Sequence, residues 1–506
     1  MIIEHGADIT IEDVVRVSDE FVSIALSSEV IDDIKTSNER LERTRASGKP
    51  VYGINTGYGV FANKTIKVDD IEKLNRNLII SHAVGTGDPL QERIVRAAMF
   101  IRAVTLSKGY SGVRPVIIET LLDMLNKGVT PIIPSKGSLG SSGDLCQLSH
   151  LALVMSKDVN DLEEESGMAV HDNALTSGKK AMETAEIDRV ILSAKEGLAL
   201  NNGATFSAAI AALSVNETEY LLHVAEIAAA LSMEALCARS SALDDRIHQV
   251  RNQPGQILTA ANLSRLLKGS TFIDSMERVQ DAYSIRCAPQ VHGAVRDTMM
   301  YVKGVIEREI NAATDNPLIF EPEDVISGGN FHGEPIGLVM DFLSIAMCEL
   351  GAISERRTYR LTDEKMSYGL PPMLVDDQHN AGLNSGVMLP HYTAASLVLE
   401  NQTLATPDSI RSLPTSAGQE DHNANAMTAA RHAYEIIENL RQILSIEIYT
   451  AIRGIELRRK NSQGVLGSGT GKIFDKVTET IRYIPGDALW GEEIKKVNRM
   501  IERREI

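Results

Sequence analysis

The segment GSLGSSGDL (137–145) places three small residues in a row, Ser141, Ser142 and Gly143, where a tight turn can fold the backbone onto itself. Attack of the Gly143 nitrogen on the Ser141 carbonyl, with loss of two waters, would close a five-membered ring and convert Ser142 to a dehydroalanine. Gly143 suits that attack because it has no Cβ in the way. The product is a strong electrophile made without an external cofactor, able to activate an amine for departure. The same nine residues also describe an ordinary turn before a helix, with Asp144 as a first-turn acid favourable to the helix dipole.

Other segments mimic known chemistry less closely. GVLGSGTGK (464–472) has Leu466 where a phosphate loop needs glycine and Ile473 where it needs Ser or Thr, so it reads as a flexible loop. GTGDPL (85–90) lacks the third glycine of a dinucleotide fingerprint and reads as a turn. His292, His332, His391 and His422 show no close i,i+4 pairing with a carboxylate, and no metal site is expected.

The elements that position these segments fall into two textures. Up to about residue 200, short elements alternate with Gly-rich turns, among them VYGINTGYGVFANKT (51–65) and HAVGTGDPL (82–90). IEKLNRNLIIS reads as a helix, and IVRAAMFIRAVTLSKG and VRPVIIETLLDMLNKG read as amphipathic helices stopped by Gly109 and Gly128. Residues 157–187 are polar and read as a surface excursion. From 195 onward, helical periodicity runs through 204–236, 295–313, 335–360, 391–404 and 427–453, which predicts long packed helices. The expected fold class is therefore mainly α: a large bundle of long central helices with a smaller, loop-rich N-terminal α region. The division expected is 1–200, bearing the reactive loop, and 201–506, the long-helix bundle with a C-terminal helical region.

Composition narrows the functional classes. Of 506 residues, 51 are Lys or Arg and 68 Asp or Glu, giving a formal net charge of −17, and no basic tract is present. That balance disfavours nucleic acid and anionic membranes as partners. Aromatic residues make up only 4%, with Trp490 the single tryptophan, as suits helices whose axes approach closely. No apolar run is expected to reach the roughly 18 residues of a membrane helix. The N-terminus lacks the basic start of a signal peptide. Cys146, Cys237, Cys287 and Cys348 show no metal or disulfide spacing, and a cytoplasmic location is expected.

Several motifs in order carry a family resemblance. GSLGSSGDL is similar to the signature loop of the aromatic amino-acid ammonia-lyase and aminomutase family, with Ser141 in the usual alanine place. VYGINTGYG resembles that family's tyrosine loop, LALNNGATF its asparagine segment, and QDAYSIRCAPQ its QDxYSxRxxPQ segment; TDNPLIF, SGGNFHGEP and SERR follow in the family's order. The resemblance covers nearly the whole chain. It implies a fumarase/aspartase-like helical fold and a prosthetic 4-methylidene-imidazole-5-one (MIO) formed from Ser141, Ser142 and Gly143. It implies Tyr52 as the base, Asn202 beside the amine and the MIO oxygen, and Gln280, Tyr283 and Arg286 around electrophile and carboxylate. It further implies Asn330 and Phe331 as substrate contacts, and a homotetramer whose active sites combine loops of three subunits.

The chemistry fits those residue types. A tyrosinate can take a weakly acidic β-proton, although phenolate at neutral pH costs roughly 4 kcal/mol from a pKa of about 10. The glycine-flanked loop around Tyr52 is expected to lower that cost with backbone N–H donors. Arg286 offers a planar fork to two carboxylate oxygens. Tyr283 is placed to donate or relay a proton.

Two places bear on the substrate. SHAVG puts His82 where the family reads the substrate ring, and TSAGQEDHNANAM resembles the histidine-acting branch, with Glu420 facing an imidazole. FHGEP and NSGVM, with Met388, point the same way. Against them stand His292 for a usual methionine, NANAM for a usual VSMG, and Pro390, His391 and Tyr392 in MLPHYTAA. The expected reaction is elimination of ammonia from L-histidine to trans-urocanate. Tyrosine or a modified histidine as substrate, an aminomutase outcome, and a non-catalytic helical homologue without MIO are the alternatives.

Overall fold

The computed structural model describes residues 1–48, 50–321, 324–376, 378–461 and 463–506. Helices dominate, among them Thr205–Ala235, Ala288–Glu309, Glu334–Thr362, Met388–Leu404 and Ala426–Asn461. Each lies where helical periodicity places one. Pro390 is accommodated because it falls in a first turn, where no intrahelical N–H bond is lost.

The chain divides into two units, the first comprising Met1–Asn216, Lys303–Asp341 and Pro407–Arg431. Its centre is the helix Glu92–Ser107, buried from Ile94 to Ser107. Leu41, Ile54, Ile71, Ala194 and Ile319 form a further apolar cluster. GTGDPL is not a turn here: Thr86–Pro89 is a strand paired antiparallel with Pro134–Lys136, the stem of the 137–144 loop. A Cβ on Gly87 would stand 2.9 Å from Ser135 Oγ, so the glycines of this segment serve a close strand approach. The 157–187 excursion contains a hairpin, Met168–His171 with Ala174–Ser177, joined to Thr130–Pro131.

The second unit comprises Glu217–Val302, Phe342–Thr406 and His432–Ile506. Its interior holds a fully buried ion pair, Arg357 with Glu447, whose carboxylate also accepts from Ser232 Oγ (2.7 Å) and Ser354 Oγ (2.6 Å). The 464–472 segment is held rather than flexible. Gly467 N donates to Glu234 Oε1 (2.7 Å), so a carboxylate takes the backbone donor a phosphate would need. A Cβ on Gly464 would stand 2.3 Å from the Phe272 ring, and these glycines serve packing.

A further sequence expectation is corrected. The helix Glu334–Thr362 is long and apolar enough to cross a membrane, with a mean hydropathy of 1.8 over its best stretch. That stretch is 72% buried within the protein, as the core helix of a packed domain would be.

Candidate functional site

Within the first unit, a cavity of about 580 Å³ gathers Tyr52, Tyr58, His82, Ser142, Leu198, Asn202 and Glu420. These residues come from three loops and two helix ends. Tyr52 sits in the 51–66 loop, closed by Gly57 N to Lys64 O (2.9 Å) and Ile66 N to Asn55 O (2.9 Å). Gly53 makes that loop possible: its φ is +74°, and a Cβ would meet Leu198 Cδ2 at 2.6 Å. His82 ends the helix Ile71–His82, and Asn202 follows the short helix Glu196–Asn201.

The 137–144 loop is fixed by Asp144. Its side chain makes no capping bond to the helix Leu145–Met155 that follows. It instead accepts from Ser207 N (2.8 Å) and Ser207 Oγ (2.9 Å), at the start of the helix Thr205–Ala235, and from Ser138 Oγ (2.8 Å). Burial pushes the Asp144 carboxyl up, and these donors pull it down.

At the centre, Ser142 O accepts from Asn202 Nδ2 (2.7 Å) and from Gly203 N (3.2 Å). Gly143 has φ +80°, and a Cβ there would stand 2.0 Å from the Gly203 carbonyl carbon, so no other residue fits. The Ser142 hydroxyl donates to Glu420 Oε1 (2.6 Å), and Thr415 Oγ1 donates to Glu420 Oε2 (3.3 Å). Asn423 Nδ2 donates to Ser141 Oγ. Two departures from the family pattern, Ser141 and Asn423, thus meet and satisfy each other.

The electrostatics differ from one sequence expectation. Burial pushes the Tyr52 phenol up, and Glu420 adds to the rise; only the Gly59 N–H opposes it. One backbone donor does not outweigh loss of water. Burial pulls His82 down, against a backbone bond to Leu78 and the charge of Glu420, which keeps the imidazole neutral near pH 7.

Not all sequence candidates meet here. Gln280 and Arg286 line a separate cavity in the second unit, with Arg239 and Asp281. Arg286 Nε donates to Asp281 O (2.9 Å), and its guanidinium lies 4.6 Å from the Tyr283 ring, which is 72% exposed. Met388, also in the second unit, begins its helix half-buried. Asn330 is exposed and donates to Ala313 O (3.3 Å), and neither it nor Phe331 lines the first-unit cavity. Gly203 and Asn423 were not singled out by motif reading. Gly203 acts through its backbone N–H, and Asn423 reaches Ser141 across 282 residues. The departure at NANAM was the only signal for Asn423.

The chain matches the aromatic amino acid lyase family model over residues 9–479. It is 45% identical over 505 residues to the histidine ammonia-lyase of Alkaliphilus metalliredigens, covering 99% of this chain and 97% of that one. Among solved structures, the histidine ammonia-lyase of Trypanosoma cruzi superposes with a TM-score of 0.90 at 36% identity, covering 100% and 94%. The phenylalanine aminomutase of Pantoea agglomerans gives 0.92 at 30% identity, covering 99% and 98%. The chain belongs to the aromatic amino acid lyase family. It is accordingly a carbon–nitrogen lyase with that family's all-α fold.

Proposed function

We propose that this lyase eliminates ammonia from L-histidine to give trans-urocanate, using an MIO group formed from Ser141, Ser142 and Gly143. The observation that carries the reading is the pair of donors, Asn202 Nδ2 and Gly203 N–H, converging on Ser142 O beside Glu420. The loop fits the group: Gly143 has room for no Cβ, and Ser142 O accepts from two donors, Asn202 Nδ2 and Gly203 N–H. MIO supplies an electron-poor carbon that makes the substrate nitrogen a better leaving group.

The chain's own residues do the rest. Asn202 and Gly203 stabilise negative charge on the Ser142 oxygen, as donors preset at a developing oxyanion do. Tyr52 Oη takes the β-proton, the Cβ–H electron pair forms the Cα–Cβ double bond, and the Cα–N bond breaks with its pair leaving on nitrogen. Because burial raises the Tyr52 pKa, a positive charge close to the phenol is needed to favour the base form. The substrate's α-ammonium supplies one. Glu420 accepts the imidazole N–H and neutral His82 offers the complementary partner. Closing the pocket against water strengthens each of these contacts.

Among the described residues, those lining the cavity include no arginine to hold the substrate carboxylate. Arg286, with Gln280 and Tyr283, fills that need from another copy, in a homotetramer with shared active sites in which Met388 also contacts the substrate, and the exposed Tyr283 supports this reading. Four free thiols fit the reducing cytoplasm as its location. Incubation with L-histidine, L-tyrosine and L-phenylalanine tests the substrate. Ammonia release with near-ultraviolet absorbance of urocanate from histidine alone is expected. Turnover of tyrosine or phenylalanine with none of histidine overturns the specificity while leaving the class intact.

A further inference from the structure

Arg102, in the helix Glu92–Ser107, is among the largest fully buried side chains, yet among the described residues it meets no carboxylate. Its Nη2 donates to Asn202 O (2.6 Å) and to Ala199 O, and its Nη1 donates to Thr205 Oγ1 (3.2 Å). Its Nε has no hydrogen-bond partner among the described residues. The two acids whose charges act on it are engaged elsewhere, Asp315 by Lys195 and Asp144 by Ser207 and Ser138. A buried guanidinium held only by neutral oxygens is costly, and an apolar side chain of similar volume would pack the same space.

The direction of its bonds supplies a reason for the charge. The Asn202 carbonyl and the Gly203 N–H belong to one peptide unit. On one side that unit accepts from Arg102, and on the other it donates to Ser142 O. Amide conjugation links the two ends, so density drawn to the carbonyl oxygen leaves the N–H a stronger donor. Nothing intervenes, because residue 203 is glycine: a Cβ there would stand 2.8 Å from Arg102 Nη1 and 2.7 Å from Thr314 O. Burial lowers the guanidinium pKa to about 10, which leaves it cationic at neutral pH.

We propose that Arg102 is a positioning residue for the elimination, acting through the Asn202–Gly203 peptide to strengthen the donor that meets negative charge on Ser142 O. This rests on the reading of Ser142 as the source of the electrophile. Arg102 touches neither substrate nor reacting atoms.

The test uses the full-length protein and the variants Arg102→Lys and Thr205→Val, with two readouts counted per chain that carries the two-water mass deficit. One is the rate of cyanide addition to the electrophile, followed in the near ultraviolet without substrate; the other is kcat and KM for histidine. For Arg102→Lys, both cyanide addition and kcat fall together by ~10- to 100-fold, with KM within about threefold. For Thr205→Val, which only loosens the guanidinium, both fall about threefold. A folded, deficit-bearing Arg102→Lys with both rates within about twofold of the parent overturns the inference. If Arg102→Lys does not fold, Thr205→Val decides, and unchanged rates there overturn it. A parent chain without the mass deficit overturns this inference together with the reading beneath it. A deficit present with indifferent variants overturns this inference alone.

Discussion

Both units bury charged and polar groups, but they dispose of them differently. In the second unit, the Glu447 carboxylate takes two bonds from Arg357 and one each from Ser232 and Ser354, and the cluster closes on itself. His292 beside it is wholly buried, held far below its usual range by desolvation and by Arg357 and Arg296, and stays neutral. In the first unit, Asn202, Glu420, Tyr52 and His82 face a cavity, and two donors converge on one carbonyl oxygen. Burial of charge therefore does not mark a site. Polar groups whose remaining capacity points into a cavity do.

The difference can be broken by substitution. Tyr52→Phe should lower kcat by about 10³- to 10⁴-fold with little change in KM, because it removes the proton acceptor and no packing. Its unfolding midpoint in urea should match the parent's. The pH profile sharpens the same point. In the proposed reaction Tyr52 works deprotonated, and its pKa is raised, so in the free enzyme the base fraction grows tenfold per pH unit below that pKa. kcat/KM should climb into the alkaline range, and that limb should vanish in Tyr52→Phe.

Glu447→Gln should do the opposite. Removing one partner of a buried pair leaves Arg357 uncompensated, at a cost of about 3 kcal/mol in chemical unfolding. The activity of the folded fraction should stay within about twofold. Equal loss of activity per folded chain would mean that the second-unit cluster takes part in the chemistry.

Ser141 and Asn423 lie between these extremes. Ser141→Ala leaves the buried Asn423 amide without its acceptor, for a loss of about 1–2 kcal/mol. Adding Asn423→Val removes the orphaned donor and should recover most of that loss, read as a non-additive double-mutant cycle. Additive losses would show that the two do not act as a pair.

Much of this was legible in the sequence because motifs mark local chain geometry. The Ser-Ser-Gly turn, the glycine-flanked Tyr52 and the apolar periodicity of the long helices all depend on neighbours a few residues away. Gly203, Asn423 and Arg102 were not legible, since each acts through a bond set by tertiary direction rather than side-chain type. The 85–90 and 464–472 segments misled for a related reason: their glycines serve close packing partners distant in sequence. The few charges of Glu334–Thr362 interrupt its apolar run in sequence, while most of the helix's apolar stretch is buried within the protein.

The central claim is that the Ser141-Ser142-Gly143 loop becomes the electrophile. Intact mass spectrometry of the purified chain and of Ser142→Ala tests it most directly. The account predicts a parent lighter than its sequence mass by two waters, and a variant at full sequence mass that is folded and inactive. A parent at full sequence mass that still releases ammonia from histidine would contradict it.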